Sequence, residues 1–408
     1  EQIVIQPSIS NSSEKKDVLY FTLENVNVSI ANSIRRTILN DIPIVVFRTF
    51  PHELNNCKIH KNTSRFNNEI LKQRLACIPI HITDTDTVIS DLIVECNIKN
   101  DTDSLKYITT NDFKIKNKNT NTYLEEDDVL SIFPPNPLTK QFVLFSRLRP
   151  TISSDLPGEV IYFESTLDIG TPAENGAFNC VSTCSYSYTP DIVKQNDIWN
   201  DLEQKISENK ELEKKNWMNH NGKKYFVKNS FDFRIETIGV FTNTEIIKKA
   251  CDILNMKLAV VTKLAQENRI ETNRFSTSIK NCVDITLKNE DYTIGKIIEY
   301  ILHKDYYKND NTLTYVGFIK KHPHDTDSII RMAFRNEDEL TPSNISAMIQ
   351  HACNSLTKIC TEINDIFQFI QAIPAKRSAF RFPILCLSFF VVCAFICLIY
   401  KFSYKLNK

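Results

Sequence analysis

The stretch Thr22-Leu23-Glu24-Asn25-Val26-Asn27-Val28-Ser29-Ile30 returns later in the chain as Thr286-Leu287-Lys288-Asn289-Glu290-Asp291-Tyr292-Thr293-Ile294, at a constant offset of 264 residues with no gap. The same offset carries Ile34 onto Ile298 and Ile38 onto Leu302. A repeat decides architecture before any single element does, because each copy buries a face that needs a neighbour. In both copies alternating residues (Leu19, Phe21, Leu23; Val283, Ile285, Leu287) predict a strand with one buried face. Ser29 and Thr293 then stand where helix N-caps are expected, their hydroxyls accepting from the free amides of the first turn. Beyond them Ile294, Ile297, Ile298, Ile301 and Leu302 keep to one helical face. Two like strand-turn-helix units predict an internal pseudo-dimer, paired through Ile30, Ile34 and Ile38 of the first and Ile294, Ile298 and Leu302 of the second.

The chain has 408 residues, enough for two or three domains with their own cores. Lys plus Arg and Asp plus Glu stand at 49 each, so the net charge is zero. That argues against nucleic-acid binding through a bulk positive field, though not against local basic patches. Only 7 Gly leave little room for phosphate-cradling loops. The 12 Cys lack the spacing of a disulfide framework, and a reducing compartment is the simpler reading.

Outward from the repeats, the fold class reads as α+β. A first dimerisation domain comprises 1–82 and 229–268. It includes a buried strand at Ile44 to Phe47 and a helix at Asn67 to Leu75 that turns Glu69, Lys72, Gln73 and Arg74 towards solvent or a partner. From 83 to 190 short alternating segments broken by Asn, Asp, Thr and Pro predict an inserted β-rich domain. Residues 191–228 are a charged polar excursion. Phe231, Phe233 and Ile235 return to the parent sheet, and a helix follows from Thr244 to Gln266. The second dimerisation domain, 269–375, ends in a long helix opened by Thr341-Pro342. Its Ile349, Ala352, Leu356, Ile359, Ile363, Ile366, Ile370 and Ile373 step by three and four in a coiled-coil-like seam. Residues 382–400 carry no charge and are long enough, at about 1.5 Å per residue, to cross a bilayer core of about 30 Å. They predict a C-terminal transmembrane-like helix whose basic flanks do not choose an orientation.

These residues resemble a known family. Ser29 to Leu39, Ile42-Pro43, Asn62-Thr63-Ser64, Glu69, Arg74-Leu75 and Ile78-Pro79-Ile80 look like the third-largest subunit of eukaryotic RNA polymerase II, the archaeal D subunit and the bacterial alpha N-terminal domain. Asp168-Ile169-Gly170 to Phe178, Tyr186 to Asp191, and Phe231-Asp232-Phe233 with Glu236 and Gly239 resemble later parts of the same subunits. Tyr292-Thr293-Ile294-Gly295, Tyr315-Val316-Gly317-Phe318, His322-Pro323 and Ile329-Ile330-Arg331 look like the small partner subunit, called L in archaea. The resemblance implies two partners fused in one chain, as in large DNA viruses that bring their own polymerase. It implies a non-catalytic assembly platform for the two largest polymerase subunits, with small assembly subunits nearby and DNA reached only through the complex. Arg35 and Arg36, with Asn32, Glu69 and Arg74, are then expected to contact a large subunit.

Two departures from the family pattern stand out. The cysteine cluster that many relatives carry in the insertion is missing: Cys96 is isolated and Cys180 with Cys184 lack two further ligands. No metal and no cofactor are expected. The apolar tail is also foreign to the family, and it suggests a rival reading, a tail-anchored membrane adaptor that kept the fold for another partner. Either way the body is expected on the cytoplasmic side, in a host cytoplasm, viral factory or virion if the source is viral. No catalytic constellation survives. His52, Cys57 and His60 fit no common spacing, His322 and His324 flank a turn proline, and there is no Asp-rich magnesium motif for nucleotidyl transfer.

Overall fold

The computed structural model describes residues 6–84, 89–153, 155–204, 209–274 and 279–372. The first repeat opens with β1 (Ser8–Lys15), β2 (Val18–Glu24) and α1 (Val28–Asn40), followed by β3 (Ile44–Val46). The insertion contributes β4 (Cys57–Asn62), α2 (Asn68–Ala76), β5 (Leu92–Lys99), β6 (Lys106–Thr109), β7 (Lys114–Asn117), α3 (Glu126–Ile132), β8 (Leu144–Leu148) and β9 (Val160–Thr166). Next come β10 (Asp168–Gly170), β11 (Val181–Pro190), α4 (Ile192–Glu203), α5 (Lys210–Asn219), β12 (Phe226–Thr237) and α6 (Asn243–Gln266). The second repeat is β13 (Glu271–Asn273), β14 (Cys282–Leu287), α7 (Tyr292–Leu302), β15 (Leu313–Ile319), β16 (Ser328–Phe334) and α8 (Pro342–Ala372).

The two repeats are built alike down to the turn. Their antiparallel sheets run β1-β2-β12-β11 and β13-β14-β16-β15. β2 begins 264 residues before β14, and α1 begins 264 before α7. Between strand and helix, Asn25 and Asn289 both take left-handed backbone, at φ 62° and 55°, a conformation asparagine tolerates better than most side chains. The caps lie two residues ahead of the expected ones: Asn27 accepts from the Ser29 amide and Asp291 from the Thr293 amide. Ser29 and Thr293 are already inside the helix, because the residue that turns its side chain back must precede the first helical φ and ψ.

One core serves both repeats, gathering α1, α6, α7 and α8 with both sheets. It reaches across the chain: the Phe21 ring of β2 stacks on Phe233 of β12 at 5.0 Å and meets Phe367 of α8 edge-on at 5.0 Å. In α8 the buried row is Ile349, Ala352, Leu356, Ile359, Ile363 and Phe367. Phe367 takes the place expected for Ile366, which is partly exposed, and Ile370 is partly exposed as well. α6 is opened by a reciprocal cap between Thr242 and Glu245.

The insertion has its own core, and sheet pairing sets its limits differently from the 83–190 expected. β11 lies in the first repeat's sheet beside β12, with Val181 and Cys184 in the shared core. Conversely β4 joins the insertion sheet β4-β9-β5-β7, and Leu71, Leu75, Ile78 and Ile80 pack with Phe113, Phe133, Phe145 and Phe163. The segment expected as a charged excursion folds as two helices around an aromatic pair, Trp199 and Trp217 at 5.8 Å. Among the described residues no helix is long and apolar enough to cross a membrane, and residues 382–400 lie outside the described residues, as does Ile373 of the seam.

Candidate functional site

The site worth building is the surface where α1 meets α7. Ile30, Ile34 and Ile38 from one and Ile294, Ile298 and Leu302 from the other are all buried in the shared core. A small residue lets the helices approach: Ser33 is buried and its hydroxyl donates to the Thr293 carbonyl at 2.6 Å.

A polar cluster closes one end. Arg36 Nε donates to Thr293 Oγ1 at 3.0 Å, and its Nη2 donates to the carboxylate of Asp291. Asp291 thus caps α7 with one oxygen and holds α1 with the other. Burial acts to raise its pKa, but hydrogen bonds from Thr293 and the Arg36 charge outweigh it, and the carboxyl titrates below the usual range. Nearby, Lys257 of α6 donates to Asp41, the residue that ends α1, at 2.9 Å. Burial opposes the charge on Lys257, yet Asp41, Glu290 and Asp291 hold its pKa above the ordinary value. Glu290 is the uncomfortable member: burial pushes its carboxyl up to about 7, with Lys257 pulling the other way.

The opposite end is open. The 264-residue offset places Tyr300 where Arg36 stands and Asn27 where Asp291 stands, so the ion pair has no counterpart there. Instead a groove of about 580 Å³ runs along Asn27, Asn32 and Tyr186 on one side and Lys296, Tyr300 and His303 on the other. Arg35 reaches back to Asn32 Oδ1 with both Nε and Nη2, at 3.1 and 3.0 Å.

Of the residues expected on an outer contact face, then, Asn32 lines this groove, Arg35 is bonded to Asn32, and Glu69 is exposed in the first turn of α2. Arg36 and Arg74 are engaged within the chain. Arg74 donates to the Phe145 and Leu144 carbonyls, at 2.7 Å each, and so ties α2 to β8. Asp291 and Lys257 were not foreseen; the alignment of Asp291 with the capping Asn27 was the available signal. His60 pairs with Glu164 at 3.0 Å and Cys57 is buried, its thiol pushed up to about 11 by burial. No group of three or more His, Cys, Asp or Glu among the described residues is arranged to hold a metal ion.

Comparison with known proteins finds two matches along the chain. A family profile described as "RNA polymerase Rpb3/Rpb11 dimerisation domain" matches residues 20–258, and a second profile of the same description matches 282–365. A "Conjugation stage-specific protein" of Tetrahymena thermophila is 24% identical over 65% of this chain and 96% of its own length. "DNA-directed RNA polymerase subunit Rpo3" of Archaeoglobus fulgidus is 23% identical over 64% of this chain and 99% of its own. The subunit of that name from Methanosphaera stadtmanae is 26% identical over 46% of this chain and 63% of its own. The viral source expected from the fusion gains no support from these relatives.

Proposed function

Since the chain belongs to the RNA polymerase Rpb3/Rpb11 dimerisation domain family, we propose that it is a non-catalytic assembly subunit of a multisubunit DNA-directed RNA polymerase. In this reading it supplies in one polypeptide the pair of dimerisation units on which the two largest subunits assemble, with small assembly subunits alongside. The observation that carries it is the pairing itself: two copies of one unit share a core through α1 and α7. The outer contact set is Asn32, Arg35 and Glu69, with Arg36 and Arg74 serving inside. DNA is reached only through the complex, on the cytoplasmic side, and the 382–400 segment supplies whatever membrane tether the complex has.

Affinity purification of the full chain from its native source, with bound proteins identified by mass spectrometry, tests this. The expected result is recovery of the two largest polymerase subunits in near-equal amounts. Their absence from a purification that retains other specific partners overturns the proposal. Flotation of the same complex with lipid vesicles tests the tether.

A further inference from the structure

The insertion carries a pocket that the pairing of the repeats does not use. It has a volume of about 460 Å³ and lies where α2 packs on β8. Four arginines border it, Arg65, Arg74, Arg147 and Arg149, and no carboxylate lines it.

Their charges are compensated very unequally. Arg149 is satisfied, since its Nε and its backbone amide both donate to the buried carboxylate of Glu159. Arg74 donates only to carbonyl oxygens, so its position is fixed while its charge remains unmatched. Arg147 lies over the Tyr107 ring at 5.7 Å, and Arg65 is exposed; neither makes an ion pair among the described residues. Three unmatched guanidinium groups around one cavity repel each other until an anion joins them. The floor adds a second observation. Ser146 is 1% exposed, and its hydroxyl has no hydrogen-bond partner among the described residues. A buried unpaired hydroxyl is a standing cost that a ligand atom relieves.

The geometry points to a docking site for an acidic protein segment. A carboxylate side chain of that segment meets the guanidinium forks, whose planar donors suit two carboxylate oxygens at once. An apolar neighbour settles on Phe66 and Leu105, both of which line the pocket and are 36% and 44% exposed. A single strand of RNA fits less well. Its bases need free aromatic faces, and here Arg74 lies over Phe66 and Arg147 over Tyr107. The inference rests on the insertion alone and does not require the partner to be a polymerase subunit.

The test uses the full chain and a short fluorescein-labelled peptide of Asp and Glu around a central Leu-Phe pair, titrated by anisotropy at low salt. Saturable binding is expected, weakened by about tenfold or more in the Arg65→Glu/Arg147→Glu double variant. Neither residue anchors the fold, and an unchanged thermal melt confirms that the double variant is native. Replacing the peptide's Asp and Glu by Asn and Gln is expected to cost at least as much. Absence of saturable binding, equal binding of the amide peptide, or indifference to the double variant overturns the proposal. So does tighter binding of a labelled oligouridylate, which would assign the pocket to nucleic acid.

Discussion

Changing Asp291 to Asn and to Ala separates its two jobs. Asn still accepts from the Thr293 amide, as Asn27 does at the matching place in the first repeat. What Asn loses is the ion pair with Arg36. The two side chains are 25% and 35% exposed, between a surface pair worth about 0–1 kcal/mol and a buried pair whose breakage costs about 3–5 kcal/mol. Solvent screening at that exposure brings the figure to about 1 kcal/mol. Loss of a cap costs about 1 kcal/mol more. Asp291→Asn is therefore expected to destabilise the chain by about 1 kcal/mol and Asp291→Ala by about 2 kcal/mol, read as shifts in urea midpoint. Combining Arg36→Ala with Asp291→Asn is expected to cost about 1 kcal/mol less than the sum, because the pair is broken only once. The pH dependence has a definite sign. An acid whose pKa is lowered by folding stabilises the native state at neutral pH, and that contribution is lost as pH falls below about 4. The gap between wild type and Asp291→Asn should therefore close in acid. Equal midpoints for Asn and Ala, strict additivity with Arg36→Ala, or a gap unchanged in acid would refute the assignment of Asp291 as the bridge between the repeats.

Glu290 sits where the first repeat has the buried Val26, and burial raises its carboxyl to about 7. A raised acid gives its stability only below the unfolded value and loses it as pH climbs through 7. Glu290→Gln should thus stabilise by on the order of 2 kcal/mol at about pH 8 and by less at about pH 5; thermal melts showing equal gains at both would contradict this. Gly295→Ala puts a methyl 1.8 Å from the Phe318 ring and should cost about 1–3 kcal/mol, part of it recovered by adding Phe318→Leu; a wild-type urea midpoint for the single variant would be inconsistent with the packing. Arg331 grips the buried Asp284 with Nε and Nη2, at 2.6 and 2.7 Å. Arg331→Ala should cost about 3 kcal/mol by stranding that carboxylate, with Asp284→Asn in the same chain restoring part of the loss; no restoration in the double variant would mean the cost came from elsewhere.

The repeat was legible because its signals are local: a two-residue alternation, a polar turn and a helical stripe survive in each copy at a fixed offset. The close approach of Gly295 to Phe318 was half-legible, since both stood in the motifs that carried the family resemblance. The bond from Arg36 to Asp291 was not legible because the two lie 255 residues apart, and two adjacent arginines on a helix look alike whether they meet solvent or a distant carboxylate. The limits of the insertion were misread for a related reason. Leu71 and Leu75 mark α2 as amphipathic, but nothing in their spacing says which core they enter. The arginine pocket was invisible because residues 65 and 74 meet 147 and 149 only after α2 docks on β8.

The edge-on meeting of Phe21 with Phe367 has a consequence for how the protein is made. A ribosome adds about 5–20 residues per second, and Phe367 comes roughly 100 residues after α6 ends. For some seconds the first repeat stands translated with Phe21 lacking the cover that Phe367 of α8 supplies. A separately encoded partner would leave that surface waiting on a chance encounter; here its cover is already in production on the same messenger. The nascent chain is therefore exposed to aggregation for an interval set by translation speed rather than by concentration, and rare codons between the repeats would lengthen it.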